Sequence, residues 1–112
     1  MEERISEVAK AVFTTLGLES NFKTGHSSHA KGGTYFSCSV FGVTIKLEEN
    51  SYDYDDKYNY MISIKKNLFS AIAADAEIIK DVTTTVRKII VKNLRIQIAQ
   101  EIGNDELEIF GI

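Results

Sequence analysis

The chain has 112 residues and a net charge of −3, with 44% hydrophobic and 26% charged residues. This composition is typical of a globular protein and excludes a chain that is disordered throughout, and the acidic balance disfavours nucleic acid as a partner for the whole surface. No apolar run approaches the roughly 18–20 residues that span a bilayer, so we expect no membrane partner. The length predicts a single domain over residues 1–112.

The only cysteine, Cys38, cannot form a disulfide within the chain. Disulfides are typical of secreted proteins and are rare in the reducing cytosol. The first residues, Met-Glu-Glu-Arg, also lack the basic stretch and the apolar stretch that mark a secretory signal. Together these features predict a cytoplasmic protein.

The first predicted element is an amphipathic helix over residues 3–16. Apolar side chains recur there at spacings of three or four, which places them on one face of a helix. Gly17 is a typical residue to end such a helix. The residues of the apolar stripe are Ile5, Val8, Val12 and Leu16.

Residues 19–33 follow as a polar segment that is rich in serine and glycine. Such a composition predicts a loop, with at most a short extended piece at Phe22. Loops of about 15 residues are uncommon inside compact domains and are often functional.

Three segments then show the alternation of apolar and polar residues that is typical of β-strands. The phase of the alternation changes across Phe41-Gly42, which predicts a tight turn or a glycine bulge between the first two strands. Residues 49–57 are expected to connect the second strand to the third. The residues on the apolar faces are Phe36, Cys38 and Val40, then Val43, Ile45 and Leu47, and finally Tyr58, Tyr60, Ile62 and Ile64.

A second helix is predicted over residues 67–92, with Asn67 as its N-cap. Its apolar stripe consists of Ile72, Ala76, Ile79, Val82, Val86 and Ile90. Two structures are compatible with the residues that follow. A continued helix would place Gln97 and Glu101 on the apolar face, whereas a hairpin over residues 94–110 with a turn at Gly103-Asn104 keeps polar residues outside, so we favour the hairpin.

These elements predict an α+β fold, in which helices pack on one face of an antiparallel sheet in the order α-β-β-β-α-β-β. The alternative order is α-β-β-β-α with a long C-terminal helix. The sequence contains no metal-binding, nucleophile or phosphate-loop motif of a known enzyme class, which favours a non-enzymatic protein.

The candidate metal ligands are His26 and His29, three residues apart in the polar segment, with Cys38 as a third. Imidazole and thiolate bind transition metals, but a structural zinc site needs about four ligands and usually a Cys-x-x-Cys pair. The sequence has no such pair. We therefore expect a solvated loop without metal, and no other cofactor.

The most distinctive segment of the sequence interleaves acids with tyrosines. A calcium loop starting at Asp53 is excluded, because Tyr58 stands where that loop needs glycine and Ile64 where it needs glutamate. Tyrosines supply rigid contact area and aspartates a negative field, which together suit a basic surface on another protein. The candidate partner-binding residues are Glu48, Glu49, Tyr52, Asp53, Tyr54, Asp55, Asp56 and Tyr58.

The alternative site is a basic edge on the second helix. Cations there would contact phosphates and bind nucleic acid or a nucleotide together with the glycine-rich segment at 25–33, in a salt-dependent way. Its candidate residues are Lys80, Arg87, Lys88, Lys92 and Arg95. Because the chain is acidic, we rank nucleic acid below a protein partner.

The sequence therefore favours a small acidic protein-binding module, an inhibitor or adaptor of the kind found in phages and immunity systems. It would present its acidic segment to a basic partner. A second copy of the chain is a further candidate partner, because Ile78, Ile89 and Val91 fall outside the apolar stripe of the second helix.

Overall fold

The computed structural model describes residues 2–26, 31–49, 59–67, 75–103 and 106–111. Within these ranges it contains two helices, a four-stranded antiparallel sheet and a separate two-stranded sheet. The helices are α1 (Glu2–Thr15) and α2 (Ala76–Leu94). The strands are β1 (Lys23–His26), β2 (Lys31–Val40), β3 (Val43–Glu49), β4 (Tyr60–Lys66), β5 (Ile98–Gly103) and β6 (Glu106–Phe110). The α+β class is confirmed.

Helix α1 forms where the apolar stripe predicted it, and its buried face covers β2 and β3. Phe13 is fully buried and stacks on Phe22, with ring centres 4.9 Å apart, while Phe22 meets Phe36 edge to face at 6.1 Å. Gly17 ends the helix in a left-handed conformation, with φ of 76°. The core residues of the two helices and of β2 and β3 form one cluster, so both helices lie on the same face of the sheet.

The prediction that residues 19–33 form a loop is wrong, because β1 and the start of β2 lie within them. Thr24, Gly25 and His26 pair through their backbones with Phe36, Tyr35 and Thr34 of β2. Strand β1 lies at the edge of the sheet and its side chains are mostly exposed, so it needs no apolar alternation to form. The described residues consequently contain four strands before α2 and not three.

The change of phase at Phe41-Gly42 is confirmed as a tight turn between β2 and β3. Both residues have positive φ, 54° at Phe41 and 75° at Gly42. Beyond the turn, Val40 pairs with Val43 and Cys38 with Ile45, and Ile45 pairs in turn with Ile64 of β4. Strand β3 is thus paired on both sides, and its inward residues Val43, Ile45 and Leu47 are buried.

Helix α2 begins at Ala76 and is capped by Asp75, so the predicted cap at Asn67 is wrong. The Asp75 carboxylate accepts a hydrogen bond of 2.9 Å from the backbone N–H of Ile78, which satisfies one free donor of the first turn. Asn67 follows β4 instead, and its N–H donates to the Gly42 carbonyl. Residues 68–74 lie outside the described residues.

The C-terminal residues form the hairpin β5–β6, and the alternative of a long C-terminal helix is wrong. Helix α2 ends because Arg95 adopts a left-handed conformation, with φ of 53°. The predicted turn at Gly103-Asn104 lies partly outside the described residues, since Asn104 is not among them.

Candidate functional site

The acidic segment starts from the end of the sheet where β3 and β4 meet. Glu49, the last residue of β3, pairs with Tyr60, the first residue of β4, and on its other side with Lys31. His26, the last residue of β1, pairs with Thr34 near the same end, so β1 ends there too. The candidate residues Tyr52, Asp53, Tyr54, Asp55, Asp56 and Tyr58, and His29 of the other connection, lie outside the described residues.

Glu48 is already partnered within the sheet. Its side chain is only 11% exposed, and its Oε2 lies 3.8 Å from Lys46 Nζ. Lys46 Nζ in turn lies 4.6 Å from the centre of the Tyr35 ring, and Tyr35 packs directly on Gly25 of β1. These residues form a row across the face of the sheet that the helices leave open, while the neighbouring Glu49 is half-buried at the end of β3.

The structure does not bring His26 and Cys38 together. His26 is exposed and its Nδ1 lies 3.5 Å from Thr34 Oγ1. Cys38 lies on β2 four residues beyond Thr34, the residue that pairs with His26, which is roughly 13 Å at about 3.3 Å per residue. Cys38 is buried, and burial raises the pKa of its thiol. Within the described ranges no three His, Cys, Asp or Glu side chains are grouped as metal ligands.

The predicted basic edge is divided by the fold. Lys80, Lys88 and Lys92 are exposed on α2, and Arg95 is exposed at its C-terminal end. Arg87 instead turns towards the C-terminal hairpin and is half-buried there. Lys88 and Lys92 are one turn apart and therefore lie next to each other on the exposed face of the helix.

An apolar groove at the opposite end of the sheet is a feature that the sequence did not reveal. It has a volume of about 240 Å³ and lies between the end of α1, the β2–β3 turn and α2. Phe41, one of the residues that line it, has 78% of its surface exposed. The residues that line the groove include Leu16, Leu18, Val40, Val82, Thr85 and Ile89, with the exposed Asp81 at its rim.

One sequence signal does point to this surface. Turns in which two successive residues have positive φ favour asparagine, aspartate and glycine, whereas Phe41 occupies the first of these positions. A left-handed conformation costs a residue with a Cβ roughly 1–2 kcal/mol. The exposed ring gains little burial to offset that cost, so Phe41 is better explained by a contact outside the chain than by folding.

We compared the chain with protein-family models, with curated proteins and with solved structures, and none of the three comparisons found a match. Neither α1 nor α2, the helices within the described ranges, is long and apolar enough to cross a bilayer.

Proposed function

We propose that this chain is a non-enzymatic protein-binding module, an inhibitor or adaptor, that presents residues 50–58 to a basic surface on another cytoplasmic protein. The observation that carries the proposal is the pairing of Glu49 with Tyr60. This pairing holds the two ends of the segment on neighbouring strands. The segment itself contains three aspartates and three tyrosines.

The strands that hold this segment support a recognition role. Opposite residues of antiparallel strands have Cα atoms roughly 4.5–5.5 Å apart, so the two ends are held close together. Strand β3 is paired on both sides and its inward side chains are buried, which makes it a rigid support. Rigid ends reduce the conformational entropy that a loop loses on binding, and the affinity for a partner rises accordingly.

The charges that face a partner come from Asp53, Asp55 and Asp56 in this proposal. Glu48 contributes less, because Lys46 already neutralises its carboxylate within the sheet. Such a negative group accelerates the encounter with a basic partner and disfavours acidic ones. Binding should therefore weaken as salt screens the charges.

The alternative, a nucleic-acid interface on α2, has weaker support. Lys88 and Lys92 are exposed on adjacent turns, but Arg87 is engaged with the C-terminal hairpin. If two or three cations of α2 contacted phosphates, the logarithm of the binding constant would fall with the logarithm of the salt concentration with a slope of about −2 to −3. A flat salt response, or no binding of DNA and RNA at low salt, would remove this alternative.

Charge reversal tests the main proposal. The chain is purified with its partner from its source cells, and the affinity of the purified partner is then measured by calorimetry for three proteins. These are the wild type, the variant Asp53→Lys/Asp55→Lys/Asp56→Lys, and a control with the same change in charge on exposed glutamates elsewhere, Glu7→Lys/Glu19→Lys/Glu108→Lys.

We expect the aspartate variant to bind at least tenfold more weakly and the control to bind nearly as well as the wild type. The proposal fails if the aspartate variant retains full affinity, or if both variants lose affinity equally.

A further inference from the structure

The surface that carries Phe41 combines a projecting ring with a recess beside it. Phe41 is 78% exposed at the tip of the β2–β3 turn and is one of the residues that line the groove. Ile78 is 42% exposed and lies one helical turn before Val82, so the apolar surface continues along α2. A continuous exposed apolar surface on a small protein usually marks an interaction site.

The size of the groove indicates what it accommodates. Its volume of about 240 Å³ lies below the roughly 300–1,000 Å³ of typical small-molecule sites. It exceeds the roughly 150 Å³ of an apolar protein cavity that accommodates benzene. The groove is therefore large enough for one aromatic side chain and too small for a typical cofactor.

We propose that this end of the sheet is a self-association surface, in which Phe41 of each copy inserts into the groove of the other copy around a twofold axis. In such an interface the same patch contacts itself, so the patch must be complementary to itself. Here each copy supplies one projecting ring and one recess of matching size, and the two contacts form reciprocally.

The charges around the groove also favour a second copy of the chain as the partner. Asp81 lies at the groove rim on α2. Lys65 and Lys66 are exposed at the end of β4, next to the turn, where the following residue Asn67 donates its N–H to Gly42. A patch that carries both signs can pair with a second copy of itself, whereas a patch of one sign would repel it.

This inference does not depend on the proposed function. The Phe41 turn and the acidic segment lie at opposite ends of β3, since β3 begins after the turn and ends at Glu49. Charge reversal in the acidic segment should leave self-association intact, and loss of Phe41 should leave binding of a basic partner intact. The two proposals therefore fail independently.

Sedimentation velocity over a concentration series from micromolar to millimolar tests the inference. The wild type should shift with concentration towards a species of about twice the 12.5 kDa of one chain. Phe41→Asn removes the ring but suits the left-handed turn, so it should fold at least as well and self-associate at least tenfold more weakly. Ile109→Thr, which changes an exposed apolar residue of β6, is the control and should associate like the wild type.

A mixing experiment distinguishes reciprocal insertion from any other apolar contact. Thr85→Glu places a carboxylate at the groove on a helical position where glutamate is well tolerated, and it should block insertion. Each variant alone should be monomeric. A mixture of Phe41→Asn with Thr85→Glu should associate more strongly than either variant alone. The ring of the Thr85→Glu copy can still enter the groove of the Phe41→Asn copy, which keeps the walls that α1 and α2 supply.

Three results would overturn the inference. They are a wild type that stays monomeric at millimolar concentration, a Phe41→Asn variant that dimerises like the wild type, and a mixture that associates no more strongly than either variant alone although the wild type dimerises.

Discussion

The guanidinium carbon of Arg87 lies 3.8 Å from the centre of the Phe110 ring, and Nη1 of the same side chain donates a hydrogen bond of 2.9 Å to Gln100 Oε1. One arginine on α2 therefore contacts both strands of the C-terminal hairpin. A two-stranded sheet is marginally stable by itself in water. The hairpin depends on such contacts with the helix, so Arg87 has a structural role in addition to any contact with a partner.

Arg87→Lys should therefore loosen the hairpin while it preserves the charge. A lysine cannot stack a planar group on Phe110 and reach Gln100 at the same time. We expect a loss of about 1–2 kcal/mol in the stability of the hairpin. Hydrogen exchange of the backbone amides of β5 and β6 measures this loss of stability. The control is Lys88→Arg, a change at the exposed neighbouring position, which should leave the exchange unchanged. Unchanged protection of the hairpin in Arg87→Lys would contradict this role.

The parts of the fold that could be predicted are those that a local pattern specifies. The stripe around Val12 and the change of phase at Phe41-Gly42 are properties of adjacent residues, and both were confirmed. Strand β1 was missed because it is specified by backbone pairing with Tyr35 and its neighbours and not by its own apolar residues.

The candidate sites were harder to predict because they join distant parts of the chain. Arg87 contacts residues 13 and 23 positions away, which no spacing rule connects. The groove needs the end of α1, the β2–β3 turn and α2 at once. Glu48 is acidic in the sequence, but only the register of β2 and β3 shows that it faces Lys46 and Tyr35 and not solvent.

The N-cap of α2 provides a second prediction. Asp75→Ala should lower the free energy of unfolding by about 1 kcal/mol, because the N–H of Ile78 loses the carboxylate oxygen that accepts its hydrogen bond. Asp75→Asn keeps an acceptor oxygen and should cost much less. Urea unfolding followed by circular dichroism measures both variants. Equal stability of Asp75→Ala and the wild type would show that Asp75 does not act as the cap.

The contact between Gly25 and Tyr35 provides a third prediction. A Cβ at position 25 would collide with the end of the Tyr35 ring, so the ring would have to shift from its place beneath Lys46. Gly25→Ala should therefore destabilise the wild type by about 1–2 kcal/mol, as overpacking does. In a Tyr35→Ala background the same change should instead stabilise, by about 0.4–1 kcal/mol, because alanine restricts the unfolded chain.

A double-mutant cycle on these two positions checks whether the effect of Gly25→Ala on stability changes sign when Tyr35 is removed. The four proteins are compared by their free energies of unfolding in urea. If Gly25→Ala has the same effect in both backgrounds, the packing of Tyr35 on Gly25 does not determine the choice of glycine.

The buried thiol of Cys38 predicts how stability depends on pH. Cys38 is 3% exposed, and burial raises the pKa of its thiol in the folded state. The stability contributed by the neutral thiol is therefore fully present below the ordinary thiol pKa of about 8.5. It is lost as the pH rises from there through the higher pKa of the folded state. The native thiol should also react with an aromatic disulfide reagent only as fast as the chain opens.

Urea unfolding of the wild type and of Cys38→Ala at pH 7, 9 and 10 isolates this contribution. The two proteins differ only at residue 38, so the difference between their free energies of unfolding reports the thiol. We expect the difference in favour of the wild type to shrink as the pH rises. A difference that stays constant from pH 7 to 10 would mean that Cys38 ionises as readily in the folded chain as in the unfolded one, which its burial beneath the helices should prevent.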